Sequence, residues 1–328
     1  MPTYRIHELG TLFPRAINAS GQIVGNQYQP SSGETHAIRR GLDGSLVHLS
    51  MFSGGVRAEA WDINDSGQAV GWAKDSAGVN HAVLWNPDGS MTDIGWLSGG
   101  SFGSATAINN AGQVTGSSRV GAYDRAFLWS ASGGFVDLSA LGSGILSGIW
   151  AYGWSINAQG YVTGYGSVRK GAVDISHAIL WKPDGTVQDL GASTSNASFG
   201  RAVNDSTQAA VNVDQANDFL WTGTGTTTLT GFEVYGMNNR GEVVGVNTSD
   251  RAGFWSASTG LVSLPTLPAW NGSSATDINY ARWIIGTSYQ TYWYDRRGVL
   301  WEAVPEPSSF LALVCGLAGL GILRRRVR

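Results

Sequence analysis

The sequence predicts an all-β chain, a seven-bladed β-propeller of four-stranded antiparallel blades, followed by a short C-terminal hydrophobic helix. Three observations predict it. An Asn-x-x-Gly type of turn between two apolar strands recurs seven times, at Asn18, Asn64, Asn109, Asn157, Asn204, Asn238 and Asn279. A short run of strand formers, often ending in Trp, follows each copy. The copies are spaced by 46, 45, 48, 47, 34 and 41 residues, and a repeat of roughly 40–45 residues is the length of one four-stranded blade.

The stretch from Asp62 to Gly95 shows the unit most plainly. Asp62-Ile63-Asn64 enters a turn, and Gln68-Ala69-Val70-Gly71 leaves it. Asn favours the first position of a type I turn, and Gly three residues later accepts the left-handed conformation that lets the strands pair. Gly67, Gly112, Gly160 and Gly241 are therefore expected at positive φ. Thr207 and Arg282 hold that position in copies five and seven, which predicts a different turn or local strain there. His81 to Trp85 is a third strand, Asn86-Pro87-Asp88-Gly89 a turn, and Ser90 to Ile94 alternates as a fourth strand should.

In chain order, Tyr4 to Leu9 comes first and duplicates a fourth strand. An open ring would leave unpaired strand edges, so this segment is expected to pair inside the final blade, beside strands from residues 275–301. Third strands follow at His36–Arg40, His81–Trp85, Arg125–Trp129, His177–Trp181, Asn217–Trp221, Arg251–Trp255 and Gln290–Tyr294. Fourth strands follow in the same order, with Gly298–Trp301 as the seventh. First strands are dense in small residues, among them Ala58, Ala60, Ala105 and Ala107, which suits convergence on a central axis. The fourth copy departs from this: Trp150, Tyr152 and Trp154 alternate along one face, a candidate ligand surface. Its Gly166–Ser176 segment is predicted to be the longest loop, and residues 222–230 a turn plus an exposed strand.

The pattern Ile-Asn-x-x-Gly-Gln-x-Val-Gly followed by His-Ala-x-Leu-Trp resembles the HAF family of extracellular repeats, across roughly residues 3–304. That resemblance implies an exported repeat body and no activity. Residues 305–328 form a separate tail, in which Pro305-Glu306-Pro307 precedes an uncharged apolar run and the cluster Arg324-Arg325-Arg326. Residues 308–323 would give about 24 Å of helix against a hydrocarbon core of about 30 Å, short for a permanent anchor. The arrangement resembles the PEP-CTERM sorting signal. The resemblance implies an exosortase-type partner and an inner-membrane precursor that passes to the cell surface or beyond, with the Arg cluster on the cytoplasmic side. Met1 to Leu12 shows no signal peptide, so export predicts a start upstream of this one.

Composition narrows the function. The net charge is −3 and the tail carries +3 of its own, leaving −6 on residues 1–304. A body so charged repels nucleic acid. The single cysteine, Cys315, lies in the tail, so the body has neither disulfides nor a thiol nucleophile. His36, His81 and His177 sit at one repeat position in three blades, which a ring holds apart, and no metal or other cofactor is expected. Asp62 to Gly67 begins like a calcium loop, but Ala73 stands where a bidentate Glu is required. Ser, His and Asp are all present, but no catalytic residue is assigned.

Two function classes remain. The first is a non-catalytic surface or matrix protein, with exopolysaccharide or matrix as its partner. The second is a propeller hydrolase or lyase acting on extracellular polysaccharide, for which Glu59 and Asp62 near the axis are a candidate acid pair. Trp85, Trp129, Trp181, Trp221 and Trp255 recur at one repeat position and are expected in the core. The off-repeat aromatics Trp72, Trp96, Trp150, Tyr152, Trp154 and Trp270 are left as candidates for a ligand surface.

Overall fold

A computed structural model describes residues 3–142, 144–191, 196–290 and 295–304. Pro305 to Pro307, the expected C-terminal helix and Arg324 to Arg326 lie outside the described residues. Seven four-stranded antiparallel sheets are arranged as the blades of a seven-bladed propeller. Blade 2 is typical, with Ala58–Ile63 at the axis, then Ala69–Lys74, Asn80–Trp85 and, outermost, Met91–Gly95. Six blades follow chain order. Blade 7 takes three strands from the end of the body, Gly272–Ile278, Ile284–Tyr289 and Arg296–Val304, and its outer strand from the start, Thr3–Gly10.

The closure pairs Thr3 with Val304 and runs antiparallel to Gly10 opposite Gly298. Tyr4 and Ile6 pack on the core cluster of Phe254, Ile284 and Trp301, and Leu9 joins Leu12, Ile285 and Leu300. The expected closure is thus present, but the internal assignment of blade 7 needs correction. Its third strand is Arg296–Val304, Gly298–Trp301 lies within that strand, and most of the expected Gln290–Tyr294 strand lies outside the described residues. Trp301 pairs with Ile284 as Trp85 pairs with Ala69, so it is the repeated Trp of this blade.

Two further segments differ from expectation. Gly166–Ser176 is not a loop: Val162–Lys170 and Val173–Trp181 form a hairpin joined by two residues. Residues 138–141 form a short helix, Leu138–Leu141, capped by the Asp137 carboxylate. Trp85, Trp181 and Trp301 are fully buried. Trp129, Trp221 and Trp255 are half-buried and lie against the core clusters of their blades, so they cover those clusters more than they fill them.

The Asn turns do more than reverse the chain. In each, the Asn Oδ1 accepts the backbone N–H four residues on, as from Gln68 to Asn64 at 3.0 Å. The amide Nδ2 of every turn Asn then donates to the carbonyl of the turn Asn in the next blade. These bonds run Asn18 to Asn64 at 3.1 Å, then 3.2, 3.0, 3.0, 3.4 and 3.1 Å, and Asn279 back to Asn18 at 3.0 Å. Seven bonds close a circle around one end of the axis. All seven Asn residues are buried, so each bond satisfies polar groups that would otherwise cost about 1–3 kcal/mol to leave unmade.

Gly67, Gly112, Gly160 and Gly241 all have positive φ, between 71° and 85°. Thr207 and Arg282 keep the same turn, with φ of 59° and 64° and the same hydrogen bonds back to Asn204 and Asn279. The expectation of a different turn is therefore overturned in favour of strain: each adopts a left-handed conformation that costs a residue with a Cβ roughly 1–2 kcal/mol. The asparagine circle holds the turn in place regardless of the residue there.

Candidate functional site

Every inner strand carries a β-bulge at one and the same place. The pairing skips from Pro14 to Ala16, Ala60 to Asp62, Ala105 to Ala107, Gly153 to Ser155, Gly200 to Ala202, Val234 to Gly236 and Ala275 to Asp277. At the bulge the next strand comes so close that a Cβ on its Gly would meet the inner strand's carbonyl oxygen, at 1.9 Å for Gly71 on Glu59 and for Gly164 on Tyr152. The Val-Gly step of the repeat is thereby explained. A bulge leaves one residue unpaired and re-aims its side chain. The seven residues so released are Arg15, Trp61, Thr106, Trp154, Arg201, Tyr235 and Thr276, and all line an axial channel of about 1050 Å³.

Four of the seven form a chain across half the lumen. The Arg15 guanidinium lies 4.9 Å from the centre of the Trp61 ring, Trp61 meets Trp154 edge-on at 5.7 Å, and Arg201 lies 5.4 Å from Trp154. The two threonines turn away: Thr106 donates to the Gly153 carbonyl at 2.8 Å and Thr276 to that of Ile285 at 3.2 Å. Burial and the neighbouring Glu233 raise the Tyr235 hydroxyl to about 12, so it stays a neutral donor at ordinary pH.

Trp61, Thr106 and Trp154 also form one wall of a side pocket of about 410 Å³. Its other walls are Phe102, Ser104, Ser117, Tyr152 and Tyr165, with Arg119 and Asp124 from the second hairpin of blade 3. Tyr152 stacks on Tyr165 with ring centres 4.9 Å apart. Arg119 holds Asp124 through two parallel hydrogen bonds of 2.8 and 2.9 Å, and the Tyr152 hydroxyl donates to the same carboxylate. The Arg119 hydrogen bonds lower the Asp124 pKa, so it remains ionised, while burial raises the Tyr152 hydroxyl. The pocket therefore offers broad apolar faces beside a fixed carboxylate–guanidinium pair.

Of the three aromatics predicted as a surface, Tyr152 and Trp154 meet in this pocket and Trp150 does not. Trp150 lines neither cavity; its indole N–H reaches the Ser176 hydroxyl at 3.4 Å. The cause is a second irregularity of the same strand, between Leu146 and Ala151, which breaks the alternation linking Trp150 to the other two. Trp72 is buried under Arg57, Trp96 sits edge-on against His81, and Trp270 packs on the core.

Glu59 and Asp62 both face the channel, each with partners of its own. Arg57 donates to Glu59 at 3.0 Å. Asp62 accepts the backbone N–H groups of Ile63 and, in the next blade, Ile108, both at 2.8 Å. Asp277 does the same for Ile278 and Ile17. Burial pushes Asp62 up to about 7 and Asp277 up to about 6, with the charge of Asp277 adding to the shift of Asp62. His81 and His177 pair with Asp93 and Asp189, each twelve residues on. Among the described residues no group of acids, histidines or cysteines is placed to hold a metal.

Sequence reasoning missed the bulge ring apart from Trp154. The signal was present, since each member lies three residues before a turn Asn and its identity varies while its surroundings repeat.

No family model matches the chain, and no curated protein does. Solved structures match in fold. Virginiamycin B lyase from Staphylococcus aureus superposes with a TM-score of 0.56 at 12% identity, over 92% of this chain and 100% of that one. The β-propeller domain of the Trilobed protease from Pyrococcus furiosus, described as having an open velcro topology, gives 0.60 at 8% identity, over 90% and 95%. YCF48 bound to D1 peptide gives 0.55 at 10% identity, over 92% and 97%. At these identities the likeness is one of fold alone.

Proposed function

We propose that the chain is an exported, non-catalytic binding propeller whose ligand is a saccharide of the extracellular matrix. The observation that carries this is the side pocket, in which Phe102, Tyr152, Trp154, Tyr165 and Trp61 surround the Asp124–Arg119 pair. Aromatic faces suit the C–H surface of a sugar ring, and a carboxylate beside a guanidinium suits its hydroxyl groups. Trp154→Ala and Tyr152→Ala should each weaken retention on immobilised host exopolysaccharide by about tenfold, the loss of one stacked ring being worth roughly 1–1.5 kcal/mol. Trp150→Ala should leave retention unchanged. Equal retention by all three variants, with the fold verified by near-ultraviolet circular dichroism, would end the pocket's claim.

The second reading, a polysaccharide-cleaving enzyme, draws on Asp62 and Asp277, two carboxyls of raised pKa in one channel. Their backbone partners give each a capping role that favours the binding reading, and a cleavage assay on the same polysaccharide separates the two.

The export half of the proposal rests on Pro305-Glu306-Pro307, the apolar run and Arg324-Arg325-Arg326, handled by an exosortase-type enzyme. Mature protein from the host surface should lack the Arg cluster by mass spectrometry. Intact Arg324 to Arg328 in that fraction would contradict processing.

A further inference from the structure

Among the described residues, Arg15 is a lumen cation without a hydrogen-bond partner. Arg15 enters the channel at the blade 1 bulge with its guanidinium carbon 4.9 Å from the centre of the Trp61 ring, yet it makes no hydrogen bond or ion pair with any described residue. The other cations of the blade 5 and blade 2 walls are engaged: Arg201 donates to Asn212 and Arg57 to Glu59. A guanidinium stacked on an indole keeps its in-plane N–H fork open, and that fork fits the two oxygens of a carboxylate.

The acids of the channel do not supply that carboxylate. Asp62 and Asp277 cap backbone N–H groups, and Asp65 and Asp205 accept from Asn110 and Asn239 at 2.8 and 2.6 Å, beside the asparagine circle. Asp250 accepts from Tyr289, and Glu233 is bonded to Tyr235. Glu59 and Arg296 both act on Arg15 at longer range, the first favouring its charge and the second opposing it, while burial depresses its pKa most. A cation whose side chain is open to the lumen, with its donor fork unengaged and a second guanidinium nearby, is an incomplete anion site.

We propose that Arg15 receives the carboxylate of an acidic saccharide, a uronate residue adjoining the sugar held in the side pocket. Trp61 connects the two places, because one and the same indole forms a wall of the pocket and the platform under Arg15. This rests on the carbohydrate reading above and gives it a chemical class. Arg201 over Trp154 stands in the mirrored position at the far end of the indole pair, so a chain of sugars crossing the pair meets a guanidinium on either side.

The test is calorimetric titration of the full chain with tetragalacturonate, its methyl ester, galacturonate monomer and sodium sulfate. The free tetrasaccharide should bind about tenfold tighter than the ester, one charge-assisted contact being worth that much. The advantage should shrink between 50 and 200 mM salt and vanish in Arg15→Gln, leaving ester binding intact. Equal affinity for acid and ester overturns the anion subsite and leaves the carbohydrate reading standing. Binding of neither tetrasaccharide removes the carbohydrate reading itself. Sulfate or the monomer matching the tetrasaccharide would show a small-anion site and overturn the assignment to a polymer. If Arg15→Gln failed to fold, the ester comparison and the salt dependence in the unaltered protein would still decide the matter.

Discussion

Removing residues 1–10 should collapse the stability of the whole ring. The loss includes the full ladder from Thr3–Val304 to Gly10–Gly298 and the packing of Tyr4, Ile6 and Leu9. Three such side chains at about 2 kcal/mol each come to roughly 6 kcal/mol, comparable with the entire 5–15 kcal/mol that holds a domain folded. The truncation also exposes Arg296–Val304 as an unpaired edge, an invitation to aggregate. Thermal melting and size-exclusion chromatography should show a large drop in melting temperature and higher oligomers. Because Thr3 lies directly across from Val304, grafting residues 3–10 after Val304 through a two-residue Asn-Gly turn should restore the monomer. A truncated chain that melts like the parent would refute this account of closure.

The second large effect is expected at Arg282. Its left-handed backbone is costly, and its side chain explains why the cost is tolerated: it donates twice to Glu242 of blade 6, at 2.9 and 2.5 Å. Glu242 replaces the Gln that follows most turns and is buried. Arg282→Ala keeps the strained turn and strands a buried carboxylate whose remaining contact is Asn238 at 2.9 Å. Breaking a buried pair costs about 3–5 kcal/mol; with Arg282 a third exposed, about 2–3 kcal/mol is expected from urea unfolding. The double change Glu242→Gln with Arg282→Gly rebuilds the ordinary repeat and should be at least as stable as the parent. Additive losses in the double variant would show that the two residues do not act as a pair.

These two departures, Gln to Glu in one blade and Gly to Arg in the next, stand 40 residues apart in the chain. Only the ring makes them neighbours. The same holds for the turn asparagines. Their recurrence was legible, and a local explanation, the type I turn, was sufficient, so nothing in the spacing pointed to the bond from each Asn to the next blade. Fold class, blade number and closure by Tyr4 to Leu9 could be read because they depend on patterns within one unit or on counting units. Blade 7 was misread because Trp301, which pairs with Ile284 as the repeated Trp, was assigned to a fourth strand. Tyr152 and Trp154 were found by alternation because the blade 4 bulge places both toward the pocket; Trp150 was mistaken because a second irregularity intervenes. Arg15, Trp61 and Arg201 were invisible for a related reason. A bulge inserts one residue into a two-residue rhythm, and its consequence, a side chain turned to the axis, appears only once strands are paired.

The choice of which strand comes from the start of the chain also has a mechanical side. In blades 1 to 6 the last strand of the unit is the outer edge, held along one side only. In blade 7 the last strand before the tail, Arg296–Val304, is second from the edge, laced to Ile284–Tyr289 on one side and to Thr3–Gly10 on the other. A pull on the residues that follow Val304 along the strand direction would have to shear both ladders together, with every hydrogen bond sharing the load. Had the ring closed in the opposite sense, the same pull would peel a single edge strand away one bond at a time. A body pulled through Val304 would thus be loaded along two ladders at once.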